Sequence, residues 1–264
     1  MAGRASGRRQ RVLGRDPAVA QAAVTPNLTA RYVFEGRKGN GYAYNVALAQ
    51  TRGKVLLFTD DDIHVPVNWV EGMCRPFLEG AAHAVQGGIA IAPHLDRPWL
   101  KGALRIWCAS VENPAWASPG LVGANMAIGR QATEAAGLFD LRLGPGAAGY
   151  FDDTVYGWAV AKAGLTVLFR PEVTVEHHFD PSRLGLPAFM AAARRMAASR
   201  AIVDRDANPT THPPSVMMLI AQFPGLAARF LIQAAKLLIS GEPDAGFVVR
   251  DYDYQLWHAL RRAG

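Results

Sequence analysis

Apolar and polar residues alternate along most of this chain in the way that short strands and helices require. Beyond residue 30, short apolar runs typical of buried strands are separated by segments whose apolar residues recur at helical spacing. Strands are predicted at 31–34, 54–59, 85–92, 121–128, 165–169 and 173–176, and helices at about 40–52, 66–76, 133–136 and 152–163. This alternation predicts a three-layer α/β domain.

The two ends of the chain depart from this pattern. Residues 1–30 form a polar, arginine-rich lead without a predicted strand pair, and we expect this lead to be flexible. A helix is predicted at 187–205, followed by a proline-rich linker at 208–214. Two further helical stretches, at about 215–240 and 244–262, contain polar interruptions, so we expect amphipathic or buried helices and not a membrane span.

Charge and cysteine usage narrow the class of protein. The net charge is +6, but five arginines fall in the first fifteen residues, so the remainder is close to neutral and nucleic acid is not the expected partner. Cys74 and Cys108 form no metal-type or redox-type pair, and no secretory signal is evident. We expect a cytoplasmic protein, with peripheral contact to the inner face of the membrane through the C-terminal helices as an alternative. The expected organisation is a lead at 1–30, an α/β domain at 31–183 and a helical appendage at 184–264.

The strongest chemical signal is the acidic triplet Asp60, Asp61 and Asp62, directly after the buried strand predicted at 54–59. Ligand sites in open α/β sheets lie beyond the carboxyl ends of strands. Three adjacent carboxylates repel one another, and Mg²⁺ or Mn²⁺, which prefers oxygen ligands, would offset that repulsion. Asp60 and Asp62 point to the same side of an extended chain. We expect Asp62 to contact the metal and Asp60 to bind the metal or a ribose hydroxyl, a solvated acidic turn or helix cap being the structural alternative.

A second acidic pair, Asp152 and Asp153, begins the helix predicted at 152–163. Acids commonly cap helix N-termini and interact favourably with the helix dipole, which is the structural interpretation. The functional interpretation is that one acid caps the helix while the other, Asp153, acts as a general base toward an acceptor hydroxyl.

Two adjacent histidines, His177 and His178, follow the strand predicted at 173–176. Neighbouring residues of a strand point to opposite sides, so at most one of the two is expected to be a metal ligand. A neutral imidazole can complete a metal shell that carboxylates supply, and His177 is the preferred ligand of the two.

Taken in order, these motifs resemble those of the family 2 glycosyltransferases, which have the GT-A fold. The resemblance covers roughly residues 31–183. The matching segments are Gly39–Asn45, Gly53–Asp62, Gly123–Ala127, Gly137–Asp140, Asp152–Trp158 and Pro171–His178.

The resemblance implies inverting transfer of a sugar from a nucleotide-sugar donor to a hydroxyl of a glycan or lipid-linked acceptor, as in cell-envelope polysaccharide synthesis. It implies a divalent metal, Mn²⁺ or Mg²⁺, held by a DxD motif and by one of the two histidines. Asp153 matches the family's catalytic base, and Asp152 stands where the family usually has Glu. The expected donor-binding residues are Asp60, Asp61, Gly41, Asn45 and Asn125.

The chain also departs from the family. Tyr44 precedes Asn45 where the family often has arginine, so a basic partner for the nucleotide is not expected. The usual first nucleotide-binding unit, a strand, a helix and a second strand, is not evident in residues 1–30, which predicts an N-terminally truncated sheet. A non-catalytic GT-A-like binding protein or a fragment is therefore one alternative, and a haloacid-dehalogenase-type phosphohydrolase, which also uses an Asp-x-Asp motif, is another.

Overall fold

The computed structural model describes residues 3–9, 28–112 and 120–207, together with isolated positions between 217 and 258. The predicted linker and the two helical stretches beyond it lie largely outside these residues. Among the helices that the structure does describe, none combines the length and the hydropathy needed to cross a bilayer.

Strands and helices alternate through the described chain, which confirms the predicted α/β class. The strands are β1 (Gly3–Arg9), β2 (Leu28–Phe34), β3 (Val55–Thr59), β4 (Ile63–His64), β5 (Ala84–Ile91), β6 (Asn125–Gly129) and β7 (Val167–His177). The helices are α1 (Asn40–Gln50), α2 (Trp69–Leu78), α3 (Ala103–Trp107), α4 (Arg130–Ala136), α5 (Asp152–Lys162) and α6 (Leu186–Ala207), with a 3₁₀ turn at Pro181–Leu184.

The main sheet is mixed and has five strands in the order β3-β6-β5-β7-β4. β6 is antiparallel to both of its neighbours, with Thr59 of β3 opposite Asn125 and Ala84 of β5 opposite Ile128. The C-terminal end of β3 therefore lies beside the N-terminal end of β6. This register places the residues that follow β3 next to the loop that precedes β6.

The N-terminal part of the chain contains a strand that the sequence pattern did not predict. β1 pairs with β2 in parallel, with Gly3 opposite Leu28 and Arg9 opposite Phe34, as a separate two-stranded sheet. The expectation that residues 1–30 contribute to no strand pair was therefore wrong. β1 lacks the apolar pattern on which strand prediction depends, whereas its pairing uses the backbone N–H and C=O groups that nearly every residue carries.

Two other elements differ from the sequence prediction. The predicted strand at 121–128 begins only at Asn125, and the predicted strands at 165–169 and 173–176 form one strand, β7, that continues through Pro171. β7 has eleven residues and lies between β5 and the two-residue β4. Pro171 carries no backbone N–H to donate between strands, yet the strand continues through it.

The chain divides into two compact units, each with its own core. Unit 1 comprises Met1–Ala90, Val111–Ala147 and Asp152–Val175, and unit 2 comprises Ile91–Ser110, Ala148–Phe151 and Glu176–Gly264. Buried residues at the centre of unit 1 include Leu56, Phe58, Met126, Ile128, Phe139 and Val160. Buried residues at the centre of unit 2 include Leu95, Leu100, Leu104, Phe179 and Phe189. The predicted boundary between residues 183 and 184 stays a prediction.

Candidate active site

The acidic triplet lies directly after β3, as the sequence pattern predicts. Asp60 follows the last residue of the strand, and Asp61 and Asp62 form the turn that leads into β4. Asp60 and Asp61 are exposed, whereas Asp62 is half-buried. Because Thr59 is opposite Asn125, the triplet lies at the same end of the sheet as the loop that precedes β6. This end of the sheet in unit 1 is where the other acidic pair is found.

Asp153, in the first turn of α5, is held by hydrogen bonds on both carboxylate oxygens. Its Oδ2 accepts from the backbone N–H of Gly123 at 2.7 Å, and its Oδ1 accepts from the backbone N–H of Thr154 at 2.7 Å. Desolvation raises the pKa of Asp153, and these N–H groups oppose the rise. The carboxylate is thus fixed in place, and it is a stronger proton acceptor than an exposed aspartate.

Asp152, its neighbour, is buried and lacks a full set of partners. Its Oδ2 has no hydrogen-bond partner among the residues that the structure describes. Its carboxyl group packs against Gly144, where an added Cβ would lie 2.3 Å from Oδ2. Desolvation, followed by the charge of Asp153 and more weakly that of Asp60, raises the pKa of Asp152 to about 8. Asp152 is therefore protonated at neutral pH, and it is not the charged helix cap that the structural interpretation required.

Tyr44, on α1, lies close enough to these carboxyl groups for their charges to act on it, although the sequence pattern predicts no role for it. The pKa of its hydroxyl is raised well above 10 by desolvation first and then by the charges of Asp60, Asp152 and Asp153, while a hydrogen bond with Asn40 opposes the rise. Charges from both acidic motifs of the sequence therefore act on the hydroxyl of Tyr44. In the sequence, Tyr44 stood out only as the residue found where the family often has arginine.

Asn125, expected to contact the donor sugar, is fully buried at the start of β6. Its amide donates to the carbonyls of Gly88 at 2.8 Å and Val173 at 2.9 Å, and its Oδ1 accepts from the indole N–H of Trp69 at 2.8 Å. These bonds join β6 to β5, β7 and α2. The side chain therefore has a structural role here, and the arrangement does not favour the expected donor contact.

Asn45 and Gly41, also expected near the donor, instead connect α1 to the segment that follows α4. The Asn45 amide donates to the Phe139 carbonyl at 3.0 Å, and its Oδ1 accepts from the Phe139 N–H at 2.8 Å. Gly41 lies so close to this segment that an added Cβ would be 3.2 Å from the Asp140 carbonyl and 3.3 Å from the Leu141 side chain. Both residues fix the helix that carries Tyr44, and their contact with a nucleotide stays a prediction.

The two histidines, which lie in unit 2, take opposite sides of the chain, as predicted. His177 is buried, its Nδ1 is 2.9 Å from the Cys108 carbonyl, and its ring contacts Phe179 edge-on at 5.0 Å between centroids. His178 is half-buried, and its Nε2 is 3.1 Å from Oε2 of Glu176. The environment of His178 suits a ligand better than that of His177, which was preferred from sequence. Both assignments stay predictions.

The geometry of unit 1 brings together the fixed carboxylate of Asp153, the carboxyl group of Asp152, the phenol of Tyr44 and the carboxylates after β3. A base of raised pKa, held by backbone N–H groups beside an acidic turn, can accept a proton from a hydroxyl while the turn binds a cation. The family model for glycosyl transferase family 2 matches residues 15–133, a segment that contains the triplet and ends before Asp152. No curated protein matches the sequence.

Among solved structures, this chain is similar to the mannosyltransferase PcManGT from Pyrobaculum calidifontis in complex with GDP-Man and Mn²⁺. The identity is 20%, the TM-score is 0.61, and the match covers 95% of this chain and 74% of that one. A second match is glucosyl-3-phosphoglycerate synthase from Mycobacterium tuberculosis, with 19% identity, a TM-score of 0.45, and 73% and 65% of the two chains covered. The likeness to the mannosyltransferase shows the fold, which is the GT-A fold.

Proposed function

We propose that this chain, a family 2 glycosyltransferase with the GT-A fold, transfers a sugar with inversion from a nucleotide-sugar donor to an acceptor hydroxyl, with Asp153 as the base. The observation that carries the proposal is the position of Asp153. Its carboxylate is fixed by the Gly123 N–H at 2.7 Å, in the loop beside the end of the strand that leads to the acidic triplet.

The proposed step uses Asp153 as the proton acceptor. The acceptor hydroxyl gives its proton to the Asp153 carboxylate, and its oxygen forms a bond to the anomeric carbon of the donor sugar. The bond between that carbon and the diphosphate oxygen breaks, and the nucleoside diphosphate leaves with the bonding electrons. Because the attacking and leaving oxygens lie on opposite sides of the carbon, a single displacement inverts its configuration. The raised pKa of Asp153 favours proton transfer at neutral pH.

The acidic triplet fits the divalent metal that this function implies. Carboxylate oxygens are the ligands that Mg²⁺ and Mn²⁺ prefer, and Asp60 and Asp62 are proposed to hold the ion, with Asp61 near the donor. A bound metal would neutralise the charge on the leaving diphosphate. The effect of the Asp60 charge on both Asp152 and Tyr44 supports the fit, because a nearby cation would offset this excess of negative charge.

For the acceptor we propose a glycan or a lipid-linked sugar, as in cell-envelope polysaccharide synthesis. We further propose that this chain is cytoplasmic and contacts the membrane peripherally. The support lies in the C-terminal region, where described apolar residues are exposed. Met217 is 82% exposed, Leu231 is 66% exposed and Ile239 is 86% exposed. Such side chains insert into the boundary between headgroups and acyl chains when a helix lies on a bilayer.

Donor binding and transfer are tested separately. Titration of the full chain with nucleotide-sugars in the presence and absence of Mn²⁺ should show metal-dependent binding of at least one donor, measured by calorimetry. A folded sample that binds no nucleotide would exclude this function, and one that binds donors but transfers sugar to no acceptor would favour the non-catalytic alternative.

The role of Asp153 is tested by the Asp153→Asn variant. It should lose transfer, by at least about 100-fold, while its Kd for the donor changes little, because the amide cannot accept the proton. Glu134→Gln, at an exposed position on α4, is the matched control and should transfer sugar normally. Equal loss of donor binding in Asp153→Asn would show that Asp153 is not simply the base.

A further inference from the structure

We propose that Tyr44 is a positioning residue of this site: its hydroxyl packs against Gly123 and fixes the peptide whose N–H holds the base, Asp153. The inference rests on the proposed function for its catalytic consequence. Its structural part, the packing of one hydroxyl against one glycine, can be tested without any assay of activity.

The ring of Tyr44 is held in place from two sides. It meets the ring of Phe58 on β3 edge-on, with 5.4 Å between centroids and an interplanar angle of 84°, and its centroid is 4.8 Å from that of Phe139. The next residue, Asn45, binds both backbone polar groups of Phe139. The hydroxyl at the end of this ring therefore has little freedom to move.

The hydroxyl of Tyr44 lies directly beside Gly123. A Cβ added to Gly123 would lie 2.2 Å from the Tyr44 oxygen and 3.2 Å from the Cζ atom of the ring. The same Cβ would lie 3.5 Å from Oδ2 of Asp153, the atom that accepts from the Gly123 N–H at 2.7 Å. The phenol oxygen, the glycine and the base carboxylate thus share one small space. A shift of the Gly123 peptide would move the donor that fixes Asp153.

The chemistry of a phenol suits this position. Burial and the charges of Asp60, Asp152 and Asp153 raise the pKa of Tyr44, so the hydroxyl is neutral throughout the physiological range. An arginine here would form an ion pair with these carboxylates and compete with a metal for them. A neutral hydroxyl fills the space without neutralising the acids, whereas phenylalanine would leave a gap beside Gly123.

The test is a mutant cycle of Tyr44→Phe and Gly123→Ala. Gly123→Ala alone should be poorly tolerated, because its Cβ would collide with the Tyr44 oxygen. Adding Tyr44→Phe removes that oxygen, and the distance of 3.2 Å to the ring can then be accommodated by a small shift. The double variant should therefore have a higher midpoint of thermal unfolding than Gly123→Ala. If the two destabilisations simply add, the proposed packing is wrong, whatever the protein catalyses.

The catalytic part is tested with the donor and acceptor that support transfer. Tyr44→Phe should lower kcat by about 10- to 100-fold and change the KM for the donor little, since small displacements of a catalytic group have effects of this size. Tyr42→Phe, on the same helix, is the matched control and should have normal kcat. A Tyr44→Phe variant with normal kcat, or one whose loss is entirely in the KM for the donor, would overturn the positioning role.

Discussion

Replacing Asp152 by asparagine tests whether this buried carboxyl group is held in its neutral form. The residue is only 4% exposed, and its Oδ2 has no hydrogen-bond partner among the residues that the structure describes. Desolvation and the charge of Asp153 raise its pKa to about 8. Asparagine has nearly the same shape and carries no charge, so it reproduces the protonated carboxyl group and removes the ionised one.

The expected effect is a change in how stability depends on pH. Between the ordinary pKa of 3.8 and about 8, the folded chain keeps a proton on Asp152 that the unfolded chain has released. The free energy of unfolding of the natural chain therefore falls as the pH rises through this window, by about 1.4 kcal/mol per pH unit from this group. From about pH 5 to about pH 8 the natural chain therefore loses about 4 kcal/mol of unfolding free energy through Asp152, and Asp152→Asn does not have this loss. Relative to the natural chain, the variant should gain stability as the pH rises.

Urea unfolding of the ligand-free chain at several pH values in this range, followed by tryptophan fluorescence and circular dichroism, measures the difference. Asp140→Asn is the control. Hydrogen bonds from Arg142 lower the pKa of Asp140 below its ordinary 3.8, so the stabilisation by that carboxylate is lost only below this range. The stability of Asp140→Asn should therefore run parallel to that of the natural chain from about pH 5 to about pH 8. If the free energies of unfolding of Asp152→Asn and of the natural chain changed in parallel between about pH 5 and about pH 8, the carboxyl group of Asp152 would not be held in its neutral form.

Two further predictions concern the interior and the C-terminal region. Asn125→Leu should lower the free energy of unfolding by about 3 kcal/mol, because it removes three hydrogen bonds at once, to the Trp69 N–H and to the buried carbonyls of Gly88 and Val173. A loss below about 1 kcal/mol in equilibrium denaturation would contradict the structural role. The full chain should sediment with vesicles that contain anionic lipid, and a variant with both Leu231→Glu and Ile239→Glu should sediment less, because these exposed side chains carry the proposed contact; equal sedimentation of the two would count against it.

Much of the fold could be predicted from the sequence, because burial leaves a periodic pattern. The apolar run of β3, and the position of Asp60 directly after it, follow from that pattern. β1 could not be predicted in this way, because its pairing with β2 uses backbone groups and does not require a particular pattern of apolar side chains. The strands predicted at 165–169 and 173–176 form one strand that includes Pro171, a continuity that the apolar pattern does not predict.

The candidate site was harder to predict than the fold. Asn45 and Asn125 have side chains that bind ligands or backbone equally well, and only the three-dimensional partners show that both bind the protein itself. Asp152 and Asp153 are adjacent and identical in type, yet one has a carboxylate fixed by N–H groups and the other a carboxyl group without a full set of partners. Tyr44 was noted only as a departure from the family, because the charges that reach its hydroxyl come from residues distant in the sequence.

The pairing of β3 with β6 bears on how such a protein can diverge. The backbone ladder that places Thr59 opposite Asn125 sets the separation between the acidic turn and the peptide whose N–H holds Asp153. A ladder of main-chain hydrogen bonds is insensitive to most substitutions, whereas a slip by one residue would turn every side chain of the strand to the other face. Loops outside this ladder can therefore change in sequence while the distance between the acidic turn and Asp153 is kept.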